Sequence, residues 1–176
     1  MATQINGFKA ALAASRLQIG LWMGLANPLC AEICATAGFD WVVIDGAHAP
    51  NDLAAMLGQL QAIAPHPVHP VVRLVAPDVW MIRQALDIGA RTVLVPMVET
   101  PEMAAALVRA CRYPPQGCRS VGAAPGRASQ FSRNPDYLLR ANAEVALVVQ
   151  IESQAALKRA GAIAAVEGVD GVLIGP

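Results

Sequence analysis

Short apolar runs recur along the chain, each closed by a polar residue or a turn: Gln18–Leu25, Phe39–Asp45, Pro67–Arg73, Thr92–Pro96, Ala146–Glu152 and Gly171–Gly175. They are largely continuous rather than alternating, the pattern of strands covered on both faces and therefore of a parallel sheet flanked by helices. Between them, apolar positions fall at helical spacing. With Asn51 as N-cap, Leu53, Met56, Leu57, Leu60 and Ile63 share one helix face. Thr100 caps another helix with Pro101 at its first position, and Asp78–Ile88 and Ser153–Val166 predict two more. Gly38, Gly89 and Gly168 stand at the same place in three aligned segments, each closing a helix before a β-branched strand. Strand and helix thus alternate as βα units of an α/β fold.

One connection breaks the rhythm. Tyr113 to Asn134 is rich in glycine and proline at its start and lacks apolar periodicity afterwards. A connection of that length predicts a lid or an interface arm rather than a floppy insertion. The chain reads as one domain over residues 1–176, with six strands and an end at Pro176 directly after the sixth. Two architectures accommodate this: an open doubly wound sheet, or the first six units of a (β/α)8 TIM barrel, which needs eight strands to close. The second is the expected fold.

Composition narrows the function classes. Of 176 residues, 55% are hydrophobic and 15% charged, as suits a sheet buried on both faces. The formal net charge is zero with no basic cluster, which argues against nucleic acid as a partner. No apolar stretch reaches membrane-span length and the N-terminus lacks a signal-peptide pattern, so no membrane partner and a cytoplasmic location are expected. Cys30, Cys34, Cys111 and Cys118 have no metal or disulfide spacing and read as small buried hydrophobes.

Polar residues collect where the strands end. Trp22 lies near the end of the first strand, Asp45 ends the second, Arg73 the third, and Gln150 and Glu152 the fifth. Parallel α/β folds do their chemistry at that face. Glu152 offers carboxylate oxygens to a hard divalent cation. Arg73 offers a planar fork to a carboxylate or enolate oxygen. His48, with Asp45 beside it, is a candidate general base whose tautomer the acid sets. The two lysines, Lys9 and Lys158, stand away from strand ends, so Schiff-base chemistry is not expected and enolate chemistry assisted by a metal is.

These residues sit in stretches that resemble the metal-dependent, class II pyruvate aldolases of the 4-hydroxy-2-oxoheptanedioate aldolase and citrate lyase family. The matching stretches are IGLWMGL at 19–25, AGFDWVVIDGAHAPN at 37–51, PVVR at 70–73, LVPMVET at 94–100, RYPPQGCRSVG at 112–122, NPDYL at 134–138, VQIES at 149–153 and VEGVDGVLIGP at 166–176. The resemblance implies retro-aldol cleavage of a 4-hydroxy-2-oxo acid to pyruvate and an aldehyde, succinate semialdehyde for the namesake substrate. By position it makes His48 the base, Asp45 its partner, Arg73 the group that binds the pyruvate oxygens, and Glu152 a ligand of Mg²⁺, Mn²⁺ or Co²⁺. Gln150, Trp22, Gly175 and Pro176 would line the substrate pocket, and Asp87 would support the site from a neighbouring helix. No nucleotide cofactor is implied. A homo-oligomer, a hexamer, is, with the Tyr113–Asn134 connection reaching a neighbouring subunit.

The chain departs from the family pattern at three places. Ala47 stands where the family reads glutamate, and Ser120 where it reads glycine. The second acidic ligand is expected just beyond Pro176. Two alternatives therefore accompany the aldolase: an inactive fragment of such an enzyme, and a citrate-lyase-like carbon–carbon lyase on the same barrel.

Overall fold

The computed structural model describes residues 5–123 and 126–175. Six strands form one sheet: β1 Gly20–Met23, β2 Trp41–Asp45, β3 His69–Arg73, β4 Thr92–Val95, β5 Ala146–Ile151 and β6 Gly171–Ile174. All neighbouring pairs are parallel and the spatial order follows the chain order. A doubly wound sheet reverses its order part-way; this one does not. It is a half-barrel, the curved six-stranded part of a barrel-type fold.

The helices are α1 Gly7–Ala13, α2 Pro28–Ala35, α3 Leu53–Ile63, α4 Val79–Asp87, α5 Pro101–Cys111, α6 Tyr137–Glu144, α7 Gln154–Leu157 and α8 Ala160–Ala164. Side-chain oxygens start most of them: Asn27, Asp78, Thr100 and Ser153 each accept from backbone N–H groups of the first turn. The cap of α3 is Asp52, not Asn51 as expected. The Asn51 amide is used elsewhere, donating to the Asp45 carbonyl at 2.7 Å. The helix expected over Ser153–Val166 is interrupted, and Arg159 at the break donates to the Glu99 carbonyl at 3.4 Å. Gly38, Gly89 and Gly168 do adopt φ values of 86°, 102° and 99°, the left-handed closure their repetition predicted.

Strand parity divides the core. Val42, Ile44, Val72, Val93, Val95, Leu147, Val149 and Ile151 face the helices. Val43, Val71 and Leu94 face inward, joined by Trp41, Val148 and Leu173. Because side chains alternate along a strand, β3 sends His69, Val71 and Arg73 inward in succession, and β2 sends Trp41, Val43 and Asp45. The inner face is therefore layered as barrel interiors are. A Cβ at Gly20 would lie 2.1 Å from the Trp41 ring, so only glycine leaves that indole room in the lowest layer.

Helix α1 plugs that end. Phe8 stacks on His69 with centroids 5.6 Å apart and tilts against Trp41 at 5.9 Å. His69 Nε2 lies 2.7 Å from Thr92 Oγ1, and Asn6 Nδ2 donates to the same oxygen at 3.1 Å. Burial, reinforced by the Arg91 charge, holds the imidazole down at about 3, so His69 is neutral at physiological pH.

The long connection is anchored to the body. It contains two short 3₁₀ turns, Val121–Ala123 and Arg127–Ser129. Arg127 donates to the Leu60 carbonyl near the end of α3, at 3.2 Å, and to the Ile88 carbonyl after α4, at 2.8 Å. These are carbonyls that helix ends leave without intrahelical partners. The cysteines are mixed: Cys111 is buried, its thiol pushed up to about 12 by desolvation, while Cys30 and Cys34 are half-buried. Cys118 is exposed, which corrects the expectation that all four are buried.

Candidate active site

The top inward layer, at the strand C-termini, is polar. Asp45 and Arg73 are register partners on β2 and β3, and Gln150 comes from β5. Arg73 is 4% exposed. Its Nε donates to Gln150 Oε1 at 3.0 Å, Nη1 to Asp45 Oδ1 at 3.2 Å and Nη2 to Glu152 Oε1 at 3.4 Å. Gln150 Nε2 closes the circuit by donating to Glu152 Oε1 at 2.9 Å. A guanidinium carries five N–H donors, so two remain for an incoming oxygen.

Asp45 is saturated. Its Oδ1 also accepts the backbone N–H groups of Ala47 at 2.8 Å and His48 at 3.2 Å, and Oδ2 accepts Trp22 Nε1 at 2.9 Å. Burial alone would raise its carboxyl, but the Trp22, Ala47, His48 and Arg73 donors together hold it below the ordinary range. The Trp22 ring also lies under the Arg73 guanidinium, 5.6 Å from centroid to carbon.

The expected Asp45–His48 couple takes a different form. Asp45 receives the His48 backbone N–H, while the His48 imidazole is exposed and has no hydrogen-bond partner among the described residues. The acid fixes the loop that carries the histidine rather than its tautomer.

Asp87 does not join the cluster. It ends α4, and a βα helix runs back towards the start of the next strand, here Thr92. At that opposite end it pairs with Arg119 Nη2 at 2.8 Å. Gly175 does join: its N–H donates to the Ile151 carbonyl at 3.0 Å, and a Cβ there would lie 2.6 Å from Gln150 Nε2. Pro176 lies outside the described residues.

Two contributors were not singled out for the site by the sequence. Asn51 ties the Asp45 carbonyl to Gln59, whose Nε2 donates to Asn51 Oδ1 at 2.6 Å. Met97, just past β4, donates its backbone N–H to Glu152 Oε2 at 2.8 Å.

The donor set suits a hard divalent cation. Two carboxylates face one guanidinium, which leaves the network with a net negative charge, and every candidate donor atom is oxygen. Among the described residues no group of three or more His, Cys, Asp or Glu converges on one point.

A parallel half-barrel with an arginine–carboxylate network at its strand ends defines a barrel-type enzyme domain. The chain belongs to the HpcH/HpaI aldolase/citrate lyase family, whose model matches residues 18–176. It is 62% identical over 171 residues to the hydroxypyruvate/pyruvate aldolase of Deinococcus radiodurans, covering 97% of this chain and 62% of that protein. It is 56% identical over 171 residues to the 4-hydroxy-2-oxo-heptane-1,7-dioate aldolase of Escherichia coli, covering 97% of this chain and 65% of that one. The chain thus spans less than two thirds of the length of these relatives. Among solved structures, an HpcH/HpaI aldolase/citrate lyase family protein from Burkholderia cenocepacia J2315 superposes with a TM-score of 0.93 at 43% identity, over 97% of this chain and 69% of that one.

Proposed function

We propose that the protein cleaves 4-hydroxy-2-oxo acids to pyruvate and an aldehyde by a divalent-metal-dependent retro-aldol reaction. The observation that carries this reading is the Arg73 fork, buried at the strand ends, immobilised on three sides and left with two N–H groups for a substrate. The family supports the reaction class.

Arg73 binds the 2-oxo acid and stabilises the negative charge that grows on its C2 oxygen as the C3–C4 bond breaks. Glu152 is the carboxylate that holds the cation, with Gln150 fixing its orientation. A bound divalent cation supplies Lewis acidity towards the substrate's oxo and carboxylate oxygens. His48, on a loop pinned by Asp45 and with a free imidazole, takes the C4 hydroxyl proton. Trp22 and Gly175 shape the walls, the glycine because a Cβ there would displace the Gln150 amide.

The loops that follow β1 to β5, residues 24–27, 46–52, 74–78, 96–100 and 152–153, contain no lysine or arginine. These loops thus offer no cation to the phosphates of a coenzyme A thioester. A homo-oligomer belongs to the same proposal, with the 113–134 connection and its 63%-exposed Phe131 as the contact arm.

Exchange of pyruvate methyl protons with deuterated water, followed by NMR with and without Mn²⁺, tests the reading without the aldehyde. Metal-dependent exchange that vanishes in Arg73→Ala is the expected result. Absence of exchange from the folded chain at any Mn²⁺ concentration would leave the inactive-fragment alternative in its place.

A further inference from the structure

Strand β4 stops at Val95, and Pro96 then offers the sheet no N–H. Met97 follows with a φ of 56°. A residue with a side chain pays about 1 kcal/mol or more for that left-handed conformation. Side-chain packing does not enforce it, because Met97 is 53% exposed. What the turn achieves is on the backbone. The Met97 N–H leaves the sheet ladder and meets Glu152 Oε2 at 2.8 Å, and the next N–H, of Val98, meets the Gln150 carbonyl at 3.1 Å.

The consequence for Glu152 follows from what else holds it. Arg73 and Gln150 both bind Oε1. Were Oε2 unrestrained, the carboxylate would be free to turn both oxygens onto the Arg73 fork, the preferred geometry of a carboxylate–guanidinium pair. That pairing would consume one of the two N–H groups left for substrate and turn Oε2 onto the guanidinium. The Met97 N–H opposes it.

We propose that Met97 is a positioning residue whose left-handed peptide holds Glu152 Oε2 away from Arg73 and presents the carboxylate to a divalent cation in one orientation. This rests on the metal reading of the proposed function.

The test uses the whole chain with Mn²⁺ as the probe. In the metal-free protein, the Met97 amide should exchange slowly with solvent despite the residue's exposure, and Glu152→Ala should release it. Met97→Val, whose β-branch resists the left-handed region, should weaken Mn²⁺ binding by titration calorimetry about tenfold, the scale of lost support to a metal ligand. Met97→Gly, which keeps the N–H and tolerates the angle, should bind Mn²⁺ as the parent does. Fast exchange of the Met97 amide in the parent chain overturns the proposal without any variant. So does unchanged Mn²⁺ affinity in Met97→Val, or an equal loss in Met97→Gly, which would assign the effect to the side chain. A parent chain with no Mn²⁺ affinity overturns the metal reading and this proposal together.

Discussion

Two arginines are almost fully enclosed in this protein, and they are used in opposite ways. Arg73, 4% exposed, has all three of its nitrogens bonded, to Asp45, Gln150 and Glu152. Arg119, 1% exposed, pairs with the Asp87 carboxylate, and its Nε and Nη1 have no hydrogen-bond partner among the described residues. It is packed on aromatic faces instead, 4.5 Å from the Tyr113 ring centroid and 6.0 Å from that of Tyr137. One guanidinium is locked within a polar plane at the mouth; the other fastens the long connection to the foot of α4. Burial alone does not mark a functional arginine. Arg73 differs in that its partners are tied to one another, Gln150 Nε2 donating to the same Glu152 oxygen that Arg73 holds.

The comparison breaks most visibly in Arg73→Met. Two carboxylates then lose their shared cation, and Asp45 is buried. Stability measured by denaturant unfolding should fall by about 3–5 kcal/mol, and pyruvate proton exchange should disappear.

His69 stands two layers below Arg73 on the same strand and tests the opposite end of the column. The unfolded chain takes up a proton near pH 6.5, whereas the folded imidazole refuses it until about 3. Stability should therefore decline as pH falls through that window, by a few kcal/mol in all. His69→Asn should flatten the acid limb of a melting-temperature profile.

Arg119→Met sharpens the contrast from the other side. Its Asp87 partner is 37% exposed and can hydrate, and two buried nitrogens without a partner among the described residues disappear with the guanidinium. A loss of only about 1–2 kcal/mol is expected, with pyruvate exchange within about twofold of the parent. Trp22→Phe is the mildest change. It keeps an aromatic ring under Arg73 but removes the Nε1 donor to Asp45, costing about 1 kcal/mol and moving the Asp45 carboxyl upward, readable by NMR titration.

How much of this was legible in the letters follows from what each feature depends on. The strands were legible because continuous β-branched runs have few alternatives. The inner column was legible too, because period-two alternation carries Asp45 and Arg73 to the same face once the strand ends are known. Asp87 lies away from this chain's cluster because it ends a helix that runs back to the foot of the sheet, a direction that a motif match does not carry. His48 sits three residues beyond β2, where no periodicity fixes the side chain, so its adjacency to Asp45 in sequence did not become a side-chain pair. Met97 was invisible for a different reason. Its role belongs to a backbone angle, and no residue type announces a left-handed methionine.

Gly89 closes a helix as Gly38 does, yet the two positions differ in mutational tolerance. A Cβ at Gly38 would have nothing within 4 Å, so alanine there meets only the backbone's own resistance. At Gly89 the added carbon would lie 2.3 Å from Arg127 Nη1, the nitrogen that bonds the Ile88 carbonyl. Two demands therefore fall on one codon: the backbone's own resistance, and a shift of the Arg127 head away from the Ile88 carbonyl. Variation in this protein should be able to drift at the first of these glycines long before it is permitted at the second.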